Sequence, residues 1–250
     1  MSATLVAIQE TVRRIGAARF PDADSIFLCG SVVRGEGTAT SDLDLVVLFP
    51  HVEAAWRESF TFESWPVECF CHDLETAEYY FTELDRPSGV GALTHMVLDG
   101  IAVPNETELA QRLRARAQAN YNVGPPALTQ TELDYSRYSI SGLMDDLRGA
   151  TTDAETIAIA TVLYHLLGFH ILRTRNRWAG HGKTIPRRLQ RMDGMLATRF
   201  EAAFSSVFST GNAQALLDLC AHVIEPQGGY LFDGYHPISD PAHRKALPLE

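Results

Sequence analysis

The stretch SIFLCGSVVRGEGTATSDLDLVVLF, residues 25–49, decides the fold. Ser25-Ile26-Phe27-Leu28-Cys29 is a short apolar run ending at Gly30, which predicts a strand. Ser31 to Ser41 is small, polar and glycine-rich, so it begins as a turn. Leu43 to Phe49 predicts a second strand, apolar enough to be buried on both faces. Asp42 and Asp44 interrupt its start. A strand has period two, so both acids point to one face, and Leu43 and Leu45 point to the other. Ionised carboxylates at the edge of a buried sheet are costly unless paired or metal-bound. Two of them on one face make a clamp for Mg²⁺, which takes hard oxygen ligands and keeps substrate phosphates as the others. The chain has seven acid-x-acid pairs, but only this one leads into a strongly apolar strand.

Downstream, Trp65 to Asp73 predicts a third strand, with Pro66 at its start where proline is tolerated. Glu68 is the only charge inside its apolar run. If this strand pairs beside 43–49, Glu68 points at the same metals, either as third ligand or as the base for an incoming hydroxyl. Upstream, Gly30 lets a phosphate approach the backbone, and Ser31 offers N–H and O–H donors. Arg34 and Ser41 flank the same turn and add donors. Leu5 to Arg19 has helical apolar spacing, Thr76 to Leu84 reads as a helix, and Val97 to Val103 as a further short strand.

Pro104-Asn105 marks the expected boundary between two domains, 1–103 and 104–250. Beyond it the pattern is helical: 106–120, 129–149, 153–175, 184–203 and 210–225, separated by Gly and Pro breakers. The tail from Gly228 is rich in Pro, Gly and His and is expected to wrap the surface. The fold class is therefore α+β: an N-terminal α/β domain with a small mixed sheet, then an all-helical C-terminal domain.

The charge distribution agrees with two parts. The 250 residues carry a net charge of −10. Residues 1–103 hold 6 Arg, no Lys and 16 acids, whereas 104–250 hold 15 basic and 15 acidic residues. Arg173 to Arg191 contains seven basic residues and no acid. A net negative chain argues against a general nucleic-acid binder. At 46% hydrophobic and 21% charged, the composition is that of a globular chain with a real core. The longest apolar segment, Ile157 to Leu172, contains His165, Gly168 and His170 and reads as a buried helix, so no membrane partner is expected. The N-terminus lacks an apolar signal core, and Cys29, Cys69, Cys71 and Cys220 form no disulfide or zinc spacing. A cytoplasmic setting is the expectation.

Taken as a set, Gly30-Ser31, Arg34-Gly35, Ser41-Asp42-Leu43-Asp44-Leu45-Val46-Val47 and the later Glu68 resemble the DNA-polymerase-β-type nucleotidyltransferase superfamily. The strand Val67-Glu68-Cys69-Phe70-Cys71-His72-Asp73 is similar to that of streptomycin/spectinomycin-type aminoglycoside adenylyltransferases, where the Glu is the proposed base. The motif match spans about residues 26–73. The helical half resembles the family in layout. The resemblance implies a two-metal nucleotidyl transfer. Asp42, Asp44 and Glu68 would be catalytic and hold two Mg²⁺ ions. Gly30, Ser31, Arg34 and Ser41 would hold the phosphates of ATP or another NTP. A small-molecule hydroxyl would accept the nucleoside monophosphate, with release of pyrophosphate. A protein or RNA end as acceptor, or a catalytically silent nucleotide-binding module, stays open beside this. A homodimer is also compatible.

Several other residues divide between roles. Lys183, in Gly180-His181-Gly182-Lys183-Thr184, is not a P-loop, because the first glycine would fall at Arg177 and the segment follows a helix. It is either a solvated loop lysine or a nucleotide-binding cation reaching the triphosphate. Arg137, Asp145 and Asp146 either line a cleft or decorate an amphipathic surface. The histidines lack metal spacing. Cys69 and Cys71 read as packing, and Tyr79, Tyr80 and Phe81 as core.

Overall fold

The computed structural model describes residues 3–35, 37 and 41–245. These divide into two compact units, Met1–Pro126 and Ala127–Glu250. Each is built around its own core.

The first unit opens with helix α1 (Ala3–Arg19) and strand β1 (Ser25–Leu28), followed by the single turn α2 (Gly30–Val33). Strands β2 (Leu43–Leu48), β3 (Trp56–Phe62) and β4 (Trp65–His72) come next. Helix α3 (Leu74–Tyr79) runs into a π-helical segment (Tyr80–Asp85) and the short α4 (Arg86–Ser88). Helix α5 (Ala92–Asp99), strand β5 (Ile101–Val103) and helix α6 (Glu108–Val123) complete the unit. Among the described residues the strands form a five-stranded sheet in the order β3-β4-β2-β1-β5. β2 runs parallel to β4; β1 is antiparallel to β2 and β5, and β3 to β4. The small mixed sheet expected from the sequence is therefore present, and the fold is α+β.

Alternation along the strands sends side chains to two cores. Leu43, Leu45 and Val47 meet Ile8, Val12 and Ile15 of α1 on one face. Val46 and Leu48 meet Ala77, Phe81, Leu93, Val97, Ala110, Leu113 and Ala117 on the other. The central strand β2 is thus covered on both faces, as its apolar run predicts. Cys69 and Cys71 pack in the α1 core, and Phe81 is fully buried, while Tyr79 is exposed.

The expected boundary at Pro104 is corrected by α6. Its Ala110, Leu113 and Ala117 complete a core of the sheet. Arg114 donates to the carbonyls of Val97 (2.8 Å), Leu98 (3.1 Å) and Gly100 (3.1 Å). It thereby satisfies the open C-terminal carbonyls of α5. Its guanidinium also lies 5.1 Å from the centre of the Phe27 ring. Pro104-Asn105 is a turn within the first unit, and the units divide at Pro126.

Two further elements depart from the sequence reading. Strand β3 was not expected. It pairs with β4 through the two-residue turn Glu63-Ser64, both at positive φ (48° and 71°). Such turns favour Asn and Gly, which are absent here, so the hairpin leaves no turn signature. In the second unit the helix expected over 184–203 is two, α9 (Thr184–Met192) and α10 (Gly194–Thr210), numbered after α7 (Gln130–Gly149) and α8 (Asp153–Arg173). Asp193 breaks it by accepting from Met195 N (3.1 Å) and Leu196 N (3.0 Å) as the cap of α10. Helix α11 (Gln214–Ile224) follows.

The helical unit buries Ile140, Leu163, Leu167, Ile171, Phe200, Phe204 and Leu219 in one core. α8 is long and apolar enough to cross a membrane by length and composition alone, yet Ala160, Leu163, Leu167 and Ile171 along it belong to that core. Gly168 admits α9: a Cβ there would stand 2.5 Å from Ile185 Cγ2. Arg137 is buried and donates to the carbonyls of Gly229 (3.1 Å) and Gly228 (2.8 Å). Tyr138 stacks on Tyr235 at 4.0 Å, and Tyr230 Oη donates to Asp145 (2.5 Å). The tail thus lies along α7, as expected, and Arg137 and Asp145 serve to hold it.

His72 is buried at the end of β4, edge-on to Tyr80. Its Nδ1 has no hydrogen-bond partner among the described residues. Burial lowers its pKa to about 4, against the opposing pull of Asp73. The unfolded chain, with an ordinary histidine, then binds more protons between these values, so stability falls as pH drops from about 6.5 to about 4. His72→Gln should remove about 3 kcal/mol of the stability difference between about pH 7 and about pH 4. Urea unfolding of both proteins at the two pH values checks this; identical pH dependence rejects it.

Candidate functional site

The site is built where β1 ends and β2 and β4 begin. β1 closes at Leu28, and Cys29 N donates to the Asp44 carbonyl (2.8 Å), locking the end of β1 against the start of β2. The chain then turns at Gly30, whose φ is +77°. This conformation is strained for any residue with a Cβ. A Cβ at Gly30 would also collide with the Asp44 carboxylate, standing 2.9 Å from its Cγ. Glycine is required twice over: for the backbone angle, and because Asp44 occupies the space above it.

Asp44 is half-buried. Alternation sets it on the face of Val46 and Leu48, and the parallel register places it opposite Glu68 of β4. Glu68 is therefore a lateral neighbour of Asp44 on the same sheet face, as its isolation in an apolar strand suggested. Asp42 is exposed, two residues before Asp44 at the approach to β2. Ser31 is buried, and its hydroxyl lies 3.4 Å from that of Ser41, tying the two ends of the turn together. Arg34 caps the C-terminus of α2 and is half-buried. Gly30, Ser31, Ser41, Asp44 and Glu68 are thus gathered at one sheet end. Lys183 belongs to the second unit, where it is exposed at the start of α9. In the basic run around it, Arg175 donates to Ile171 O (3.0 Å) in the last turn of α8, and Arg188 donates to Ala179 O in the loop before α9.

The surroundings set the electrostatics. Burial, reinforced by the charge of Asp44, pushes the Cys29 thiol up, so it stays protonated beneath the site. Its Sγ–H lies 3.2 Å from Met96 O and 3.3 Å from Phe27 O. Glu68 carries an ion pair with Arg57 of β3, and the Arg57 guanidinium lies 4.9 Å from the centre of the Phe70 ring. Arg57 escaped the sequence reading together with its strand. The apolar alternation Trp56, Phe60, Phe62 was the available signal, weakened by Glu58 at the position that should have been apolar.

The donor chemistry suits a hard divalent cation, since Asp42, Asp44 and Glu68 offer only oxygen. The Asp44 carboxylate packs against Gly30, where any Cβ would displace it. No group of three His, Cys, Asp or Glu side chains close enough to hold a metal occurs among the described residues. Glu68 is ion-paired instead with Arg57 of β3.

Residues 10–83 match the nucleotidyltransferase domain family. The matched segment contains every site residue named above except Lys183. Among solved structures, the chain is similar to a nucleotidyltransferase-like protein from Exiguobacterium sibiricum 255-15. That likeness has 12% identity and a TM-score of 0.42, over 88% of this chain and 75% of the other. No curated protein matches the chain.

Gly30→Ala should displace Asp44 and cost about 1–3 kcal/mol of stability through backbone strain and overlap. A urea midpoint equal to that of the unaltered protein would reject the close fit of Gly30 to Asp44.

Proposed function

We propose that the nucleotidyltransferase domain carried by residues 10–83 moves a nucleoside monophosphate, AMP from ATP, to the hydroxyl of a small-molecule acceptor and releases pyrophosphate. The observation that carries this reading is the Asp44 carboxylate seated on Gly30 and in register with Glu68. A phosphate-admitting turn and paired carboxylates lie side by side there, and phosphoryl transfer needs both.

Asp42 and Asp44 would hold Mg²⁺, which when bound neutralises charge on the triphosphate and on the departing pyrophosphate. Gly30 takes the positive φ that shapes the turn beside Asp44, where backbone N–H groups would meet phosphate oxygens. The Ser31 hydroxyl donates to that of Ser41, which would donate in turn to a phosphate oxygen. Arg34, one turn on, supplies a positive charge. Glu68 stands beside Asp44, where it either completes the ligand set or takes the proton of the acceptor hydroxyl. With that proton removed, the acceptor oxygen attacks the α-phosphorus, the bond to the bridging oxygen breaks, and pyrophosphate leaves in line. The small-molecule acceptor is proposed from the family resemblance and not from side chains at the site.

Asp42→Asn and Asp44→Asn should each lower Mg²⁺- and acceptor-dependent pyrophosphate release by about a hundredfold or more, with thermal unfolding unchanged. The assay takes each of the four NTPs against aminoglycosides and other hydroxyl compounds. Full activity in either variant rejects the metal-holding role of the pair.

A further inference from the structure

The sheet order places β4 between β3 and β2, so Glu68 has a neighbour on each side. On the β2 side, Asp44 is its register partner. On the β3 side, Ser59 is opposite Glu68 and Arg57 is opposite Phe70. Arg57 reaches diagonally over the Phe70 ring to Glu68 Oε1. Adjacent strands stand about 4.8 Å apart, so a carboxylate bonded toward β3 is turned from β2. Register thus sets Glu68 beside Asp44, while its carboxylate is ion-paired with Arg57 on the other side.

We infer that Arg57 is a positioning residue: it holds Glu68 on the β3 side of β4 until a divalent cation at Asp42 and Asp44 competes for that carboxylate. This rests on the metal-holding reading of the aspartates given above. Arg57 is suited to a reversible hold. Its side chain is 59% exposed and that of Glu68 25%, and pairs so open to solvent are weak. The stem is kept in place separately, by the guanidinium stacked on Phe70. A buried pair would be too costly to break, and an arginine without the ring would lose its direction. The carboxylate therefore stays partnered without cation and remains within a side-chain rotation of Asp44.

The experiment measures Mn²⁺ binding to the full chain without nucleotide, from the electron paramagnetic resonance signal of free Mn²⁺. Arg57→Ala should bind about two- to fivefold more tightly than the unaltered protein, the range expected for removing an exposed ion pair. Arg57→Met, which keeps an apolar stem over Phe70, should show the same gain. In an Glu68→Gln background, Arg57→Ala should give no gain, because there is no carboxylate to release. Unchanged or weaker Mn²⁺ binding in Arg57→Ala overturns the inference. So does a gain that persists with Glu68→Gln, which would reflect only the lost positive charge, or one that persists with Asp44→Asn, which would place it elsewhere. If Asp44→Asn abolishes turnover while Arg57→Ala leaves Mn²⁺ binding unchanged, the hold fails and the nucleotidyl-transfer reading stands.

Discussion

A charge inside a strand that is covered on both faces governs the first unit. β2 is central, paired with β1 and β4 on its edges and packed between two apolar layers. From Leu45 to Leu48 every side chain is fully buried. A carboxylate placed there would cost several kcal/mol. Asp44 is tolerable because the strand is only beginning, and because Gly30 removes the one Cβ that would block its carboxylate. The positive φ at Gly30, the backbone bond from Cys29 to Asp44 and the register with Glu68 all belong to this arrangement. The apolar layers fix the strand, and the strand fixes how far apart the carboxylates stand.

This explains why the core of the site was legible in the sequence. Acids in otherwise apolar strands are energetically anomalous, and the period of two tells which face each occupies. Asp44 and Glu68 stand out on those grounds alone, and parallel pairing of β2 with β4 brings them side by side. Gly30 was legible as the end of a strand, but its second reason, the closeness of Asp44, is a tertiary contact. The helices of the second unit were legible too, because each bears an apolar stripe and most begin at a capping residue. Thr129 and Thr152, each followed three residues later by Glu, are such signals. The break at Asp193 was missed because the apolar spacing continues across it on both sides.

What escaped notice depends on single side chains acting at long range. Pro104-Asn105 is a turn signal, and no turn signal tells whether the next helix packs back on the sheet. Arg114 decides that by bonding the carbonyls that end α5, a contact that leaves no periodic trace. Arg137 is similar. On an amphipathic helix it suggested either a cleft lining or a plain surface, yet its burial reflects two tail carbonyls that need donors. In both cases an arginine serves backbone oxygens, which sequence spacing cannot encode.

β3 combines both kinds of difficulty, and it matters most for the chemistry. Its turn, Glu63-Ser64, takes positive φ at residues that do not advertise it. Arg14 holds the turn by donating to both oxygens of Glu63 (3.0 Å and 2.6 Å), and Arg19 pairs with Glu58 (3.1 Å). The hairpin is therefore fastened to α1 by exposed charges rather than by turn chemistry. Exposed pairs contribute little each, so the register rests mainly on Phe60 and Phe62 reaching the α1 core. That register leaves Arg57 on the opposite face, alongside Phe70 and within reach of Glu68. A one-residue slip of β3 would turn Arg57 into the apolar layer and Glu58 toward Glu68, setting two like charges together. The same apolar residues that anchor the edge strand thus determine the sign of the charge presented to the carboxylates.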